Sequence, residues 1–428
     1  MSIVDSITKD FKSICYAIKG GIIYILSGNI LSKAISMVAS IIVARVLTKE
    51  LYAYYSYMTN IYSYVELLNG LELSGALLVL CSKTDNDAMN KSYYLFSMKI
   101  GGMIQLVVSF ILCIVVLFAS ITYPEAKRYF LMYLLVPVLT VIINNNQSVL
   151  RAYRKNKIFS ITGIIKASIF VVFSIALIPT LKVEGIIIST YLACIAAILF
   201  GGRFCYKKMN DVEAVPLTIQ EKKNFLLISL SLFVASFFSY LMPLNETLLV
   251  NTIIADEITT ANFRVAGLIP AQLSLISGAI CVYFYPIIAR IKDGADAWKK
   301  LKKIELYTAS LIFLAAFLGI VLTPLLIRIL YGEKYMDSIY LSRVLWIMRM
   351  VGCAFRVVPM TFLPALGDTK FNLYFSPLFC IFHVILDYYM ILNYGIDGVA
   401  FASIITYILT AILAWAYLRR FCFTKKII

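Results

Sequence analysis

The chain is built from long unbroken runs of apolar residues, of which Ile104–Ser120 is an example. A helix needs about 20 such residues to cross a bilayer. Hydrophobic residues make up 61% of the 428 positions and charged ones 14%, against roughly 45–50% and 25% in soluble domains. Transmembrane β-barrels alternate apolar and polar residues in short segments, so continuous runs exclude that class as well. The sequence predicts an all-α polytopic membrane protein. Twelve spans are expected near 21–44, 52–80, 94–119, 129–150, 160–180, 185–205, 225–254, 258–288, 304–328, 339–364, 372–393 and 397–418.

Lys and Arg accumulate on the cytoplasmic side of membrane helices. With the amino terminus inside, the inner segments carry 25 of them and the outer segments seven. The expected protein is therefore multi-pass, with both termini on the cytoplasmic side of its membrane. The net charge of +16 follows from that asymmetry, and no nucleic-acid partner is expected. Nine single cysteines without a CxxC pair suggest neither a disulfide framework nor a zinc site. Before the first span, Ile7, Phe11, Ile14 and Ile18 recur at helical spacing among lysines, which predicts an uncleaved amphipathic helix on the inner surface. The inner loop at 207–224, with Pro216 and mixed charges, is the expected linker between an N-terminal lobe (1–206) and a C-terminal lobe (225–428).

Two offsets suggest an internal duplication of the kind common in transporters. Val43–Leu51 faces Val250–Ile258, and Leu150–Lys157 faces Leu363–Lys370. Both pairs fall at equivalent loops six helices apart, so the halves would be parallel repeats.

Three segments carry a family resemblance. Ile41-Ile42-Val43-Ala44-Arg45-Val46-Leu47-Thr48-Lys49-Glu50-Leu51-Tyr52-Ala53-Tyr54-Tyr55 resembles the opening signature of bacterial O-antigen and polysaccharide repeat-unit flippases. Leu330-Tyr331-Gly332-Glu333-Lys334-Tyr335 is similar to that family's loop after the ninth helix, and Leu392-Asn393-Tyr394-Gly395-Ile396-Asp397-Gly398-Val399-Ala400 to its loop before the twelfth. Ala53 departs from the usual Gly, and Asn245-Glu246 stands where many members have Asp. The resemblance places the chain in the multidrug/oligosaccharidyl-lipid/polysaccharide exporter superfamily. It implies two six-helix lobes around a central cavity and inward-to-outward flipping of undecaprenyl-diphosphate-linked oligosaccharide units. It also implies membrane lipids, a polysaccharide polymerase and a chain-length regulator as partners.

Away from their ends the spans contain seven basic residues, Lys33, Lys99, Lys166, Arg264, Arg343, Arg349 and Arg356, against four acids at comparable depth, Glu66, Glu72, Glu246 and Asp387. Each base costs about 2.5–3.5 kcal/mol at a helix centre, so such residues face cavities or acids. Lys99, Lys166 and Arg343 also fit snorkelling at span ends. Lys33, Arg264, Arg349, Arg356 and Arg343 form the candidate cationic cavity for an anionic substrate, because guanidinium groups grip phosphate oxygens in pairs. Arg349 and Arg356, seven apart, are expected on one helix face.

Glu66 is a candidate gate. Asn245 and Glu246, beside Pro243, and the pair His383 and Asp387 are candidates for ion coupling, the latter also fitting an internal structural pair. No cofactor is expected. Sodium ion, proton and membrane potential all stay open as coupling partners. Tyr54 and Tyr57, within a tyrosine-rich stretch, and Asn145, within Asn144–Gln147, are candidates for a saccharide path, or for interfacial and interhelical packing. The outer loops are too short for a catalytic platform and hold no Ser/His/Asp or metal-ligand cluster, so a non-enzymatic flippase is expected. An ion-coupled multidrug exporter is the alternative, and a membrane polymerase a weaker one.

Overall fold

A computed structural model describes residues 22–424, apart from positions 83, 85, 289, 290, 292, 367 and 369. The expected amphipathic helix at Ile7–Ile18 lies outside the described residues. The remainder is helical throughout. We label the helices α1 (Ile22–Val46), α2 (Lys49–Cys81), α3 (Asp87–Phe118), α4 (Val136–Ala152), α5 (156–181) and α6 (183–209). They continue as α7 (Ile219–Leu249), α8 (Glu257–Leu268 and Leu273–Ile288), α9 (Gly294–Tyr331), α10 (Ile339–Val351 continuing to Ala365), α11 (Lys370–Tyr394) and α12 (Asp397–Thr424).

Among the described residues, nine helices are long and apolar enough to cross a membrane. The longest, Asn156–Met209, has 54 residues, far beyond the roughly 20 that a bilayer needs. It is two spans. Lys182 breaks it with φ 53°, and Gly185 then lets the chain fold back, since a Cβ there would sit 2.6 Å from the Leu177 carbonyl oxygen. With α1 and α7 the spans number twelve, matching the hydropathy pattern. The turns in two of the resemblance segments are equally local in origin: Gly332 (φ 89°) ends α9 and Gly395 (φ 61°) ends α11, conformations that glycine adopts without steric cost.

Two compact units emerge. The first holds the chain up to Leu47 together with Ile61–Phe233, and the second holds Thr48–Asn60 together with Val234–Ile428. Helices α2 and α7 therefore each contribute to both, and the division does not fall in the loop at 207–224. That loop lies against α3 instead: Lys91 Nζ donates to the Val212 carbonyl (2.7 Å) and Ser92 Oγ to that of Val215 (2.6 Å). Beyond it, α7 starts with a capping box. The Thr218 backbone N–H donates to the Glu221 carboxylate (2.8 Å) and the Glu221 N–H to Thr218 Oγ1 (3.3 Å). The first of these bonds holds the Glu221 carboxyl below its ordinary value.

The first unit packs Leu73, Leu77, Tyr93, Val149 and Phe225 into one apolar cluster. Above it, α2 makes a turn that no periodicity suggests: Asn69, Gly70, Leu71 and Glu72 are all left-handed, with φ between 41° and 57°. Non-glycine residues pay about 1–2 kcal/mol each for that conformation, and neutral side chains hold it in place. Gln105 of α3 accepts from the Gly70 N–H (3.0 Å) and donates to the Val65 carbonyl (2.6 Å). Asn144 of α4 donates to Asn69 (2.8 Å), and Ser229 of α7 to the Leu71 carbonyl.

In the second unit, one apolar cluster joins α8, α9, α10, α11 and α12 through Ile288, Leu301, Phe362, Phe371 and Leu418. Another gathers Met242, Phe263, Leu345, Met348 and Tyr407 around a small set of buried polar and charged groups.

Candidate functional site

Within the second unit, α7, α8 and α10 enclose a cavity of about 290 Å³. Its walls are apolar at Pro243, Phe263, Leu345 and Met348 and polar at Glu246, Thr247, Arg264, Gln272 and Arg349. A few convergent polar groups in an apolar concavity are the usual make-up of a ligand site. Pro243 lies inside α7, where it lacks an N–H for the helix ladder. Asn60, in the stretch of α2 that belongs to this unit, donates to the adjoining Leu244 carbonyl at 3.3 Å.

Glu246 is the hub. Its side chain is 3% exposed, and its Oε2 lies 3.8 Å from Arg349 Nη2, whose side chain is 30% exposed. Ser403 Oγ of α12 donates to Glu246 Oε1 at 2.8 Å and Tyr407 Oη at 3.4 Å. His383 Nε2 of α11 stands 3.0 Å from Ser403 Oγ and 3.6 Å from Glu246 Oε1. On its other side, His383 Nδ1 is 3.0 Å from Asp387 Oδ2, and both residues are fully buried. Helical spacing of four residues sets that pair on one face.

Arg356 ends a widened turn, Gly352–Arg356, in which the helix shifts from α to π geometry. The spacing of seven puts Arg349 and Arg356 on one face of a regular helix, but the extra residue in a π turn rotates the part of the helix beyond it. Arg349 consequently faces the cavity. Arg356 instead lies over the Tyr407 ring (5.4 Å to the centroid) and points Nη2 at Met242 Sδ (3.8 Å). Arg264, Arg349 and Arg356 thus stand with two carboxyls, Glu246 and Asp387, in the second unit.

The remaining candidates are dispersed. Arg264 lines the cavity with Arg349. Arg343 is exposed, and its Nε donates to the Ile320 carbonyl at 3.3 Å; it is not among the lining residues. Lys33 is exposed on α1 and Glu66 half-buried on α2, both in the first unit. Asn245 is half-buried beside Glu246. Tyr54 donates to Glu257 at 2.6 Å, and Tyr57 is buried. Asn145 is fully buried in the first unit, where Ser97 donates to it at 2.5 Å.

Sequence reasoning passed over Ser403, Tyr407, Thr247 and Gln272. Ser403 and Tyr407 are spaced i, i+4 on α12, a pattern that puts two hydroxyls on one face and was the available signal.

Comparison with known proteins agrees with this architecture. The family described as "Polysaccharide biosynthesis protein" matches residues 18–292. A Shigella flexneri protein named as a candidate O-antigen transporter is 24% identical over 244 residues, which is 56% of this chain and 54% of that protein. The match thus spans about half of the relative's length. Among solved structures, the lipid II flippase MurJ in an inward closed conformation aligns with a TM-score of 0.71 at 17% identity, covering 92% of this chain and 87% of the other. An inward-facing multidrug resistance MATE transporter aligns at 0.65 and 14% identity (91% and 94% covered), and a mutant of the Vibrio cholerae MATE transporter VcmN at 0.63 and 15% (99% and 98%). The fold is that of the MATE and MurJ transporters of the MOP superfamily.

Proposed function

Since the chain belongs to the polysaccharide biosynthesis protein family, as a multi-pass membrane protein with the fold of MATE and MurJ transporters, we propose that it is a flippase for lipid-linked saccharides. The substrate of this reading is an undecaprenyl-diphosphate-linked oligosaccharide repeat unit, of O-antigen or another surface polysaccharide. It moves from the inner to the outer leaflet of the bacterial inner membrane by alternating access. The observation that carries the reading is the cavity that Arg264 and Arg349 both line. A guanidinium in an apolar wall is costly unless it meets an anion, and two of them suit the oxygens of a diphosphate. A volume of about 290 Å³ fits the linkage rather than a whole oligosaccharide, so the lipid tail and the outer sugars lie elsewhere along the path.

The excess of Lys and Arg in the inner segments supports cytoplasmic termini. The membrane potential favours the proposed direction, because each negative charge moved fully outward gains about 2.3 kcal/mol per 100 mV. No bond is made or broken in this reading. Sodium ion, proton and potential alone are the candidate driving forces.

The test is deletion of the gene in its native host, followed by leaflet-selective enzymatic labelling of the lipid-linked oligosaccharide. Accumulation at the inner leaflet, with loss of surface polysaccharide, is the expected result. Single units held at the outer leaflet would instead indicate a polymerase. Unaltered polysaccharide would favour a multidrug exporter, whose cationic cargo the arginine-lined cavity repels.

A further inference from the structure

Away from the cavity, the start of α9 meets the end of α12, both on the inner side in the orientation that the Lys and Arg excess supports. Trp298 and Lys302 are spaced by four on α9, and Trp415, Arg419 and Phe423 follow the same spacing on α12, so each set shares one helix face. The two faces touch. The Trp298 ring lies 5.6 Å from that of Trp415 and 6.4 Å from that of Phe423, both edge to face. A close approach of the backbones accompanies this contact, since a Cβ on Gly294 would collide with the Cys422 carbonyl. Lys302 Nζ sits over the Trp298 ring at 5.7 Å, and Lys303 Nζ over that of Tyr307 at 5.8 Å.

The charges around these rings do not cancel. Lys299, Lys302, Lys303, Arg419 and Arg420 are exposed, and among the described residues none of them has an ion-pair partner. The neighbouring acids are occupied or turned inward. Asp293 caps α9 by accepting from the Asp296 N–H at 3.0 Å, and Asp296 pairs with Lys300 at 3.1 Å. Asp368 accepts from Tyr417 at 2.9 Å, and the Glu305 carboxyl oxygens are buried. A set of cations therefore stands around an aromatic floor without an anion.

Both helices present these side chains at one depth. The apolar span of α9 begins near 304 and that of α12 ends near 418, which is the headgroup layer, where tryptophan rings and lysine stems collect. We propose that the start of α9 and the end of α12 form a binding site for the headgroup of an anionic phospholipid of the cytoplasmic leaflet, a phosphodiester whose second substituent is uncharged. Its phosphate oxygens meet Lys299, Lys302 and Arg419, and its glycerol lies on Trp298, Trp415 and Phe423. Basic pockets between helices on the cytoplasmic side suit such headgroups. A choline or ethanolamine headgroup would bring an ammonium into a surplus of positive charge. A soluble acidic partner would gain nothing from rings set at membrane depth. The site is separate from the arginine-lined cavity and does not rest on the proposed function.

The probe is phosphatidylglycerol, with phosphatidylcholine of the same acyl chains as the reference. The delipidated full chain is titrated with each in detergent, and bound lipid is counted by native mass spectrometry. The expected result for the wild type is saturation by a single tightly held phosphatidylglycerol, with no matching step for phosphatidylcholine. One basic side chain beside an anionic headgroup is worth about fivefold in binding, so the combined variant Lys299→Gln, Lys302→Gln, Arg419→Gln should weaken that step by roughly a hundredfold. A matched variant in the first unit, Arg154→Gln, Lys155→Gln, Lys157→Gln, removes as many exposed cations from another inner loop and should leave the step unchanged. Equal loss in the two variants would reduce the effect to the general attraction of basic loops for anionic lipid and overturn the site. An unchanged step in the first variant would place the lipid elsewhere and overturn it too. So would equal retention of the two lipids by the wild type, or uptake that rises with lipid and never saturates. The wild-type titration decides the matter even where a variant does not fold, and because export is not read, failure of the flippase reading is a separate outcome.

Discussion

The two units solve the same problem with different chemistry. Each buries polar side chains in an apolar helix bundle, and buried polar groups must find partners. In the first unit the partners are neutral: Gln105, Asn144, Asn145, Ser97 and Ser229, each bonded at a short, fixed distance. In the second they are ionisable: Glu246, Arg349, His383 and Asp387, joined by Ser403. A neutral amide offers one set of bonds at any pH, so the first network fixes backbone geometry and is indifferent to a charge brought nearby. An ionisable group changes what it offers when a proton or an anion arrives. Under the proposed function, that difference gives structural work to one unit and substrate-dependent work to the other.

Gln105→Leu should produce the largest loss of stability and break the comparison most visibly. It orphans the Gly70 N–H and the Val65 carbonyl, at about 1–3 kcal/mol for each buried group left unpaired. Thermal stability and membrane abundance should fall, while export per remaining molecule and its pH profile stay as in the wild type. A changed pH profile would show that the neutral network also takes part in charge handling.

Arg356→Ala tests the second unit from the other direction. Export should drop by roughly two- to thirtyfold, the equivalent of losing the cation–π contact with Tyr407 at about 0.5–2 kcal/mol, with abundance retained. Full export would confine the cationic function to Arg349 and Arg264. Ser403→Ala should have a smaller effect, roughly two- to tenfold on export rate, because it removes one neutral hydroxyl from the chain between His383 and Glu246. Unchanged export at matched abundance would assign Ser403 to packing alone.

The smallest effect is expected outside the membrane. The Glu221 carboxyl is held below its ordinary value by the Thr218 N–H, so the capping bond stabilises the start of α7 above the ordinary carboxylate value. It is lost as pH falls through the lowered one. Hydrogen exchange at 219–222 should rise over that acidic window and be insensitive to it in Glu221→Gln.

The helices were legible in the sequence because apolar run length is set by the bilayer, and no tertiary partner is needed to read it. His383 and Asp387 were legible as a pair for the same kind of reason, since spacing by four fixes a shared face. The split between Arg349 and Arg356 was hidden, because the π turn at Gly352–Arg356 depends on packing around it and not on a local signal. The left-handed turn at Asn69–Glu72 was hidden more deeply. Gly70 hints at a break, but three of its four residues are not glycine, and what holds them there comes from Gln105, Asn144 and Ser229 on other helices. Ser403 escaped notice as an ordinary small residue in an apolar helix; only its neighbours make it a link.

The central claim is that the arginine-lined cavity of the second unit carries the substrate across. The most direct measurement is leaflet-selective labelling of lipid-linked oligosaccharide in the native host, with Arg349→Ala as the sole copy at matched membrane abundance. The account predicts that units accumulate at the inner leaflet as they do in the deletion strain. Arrival at the outer leaflet at the wild-type rate would contradict it.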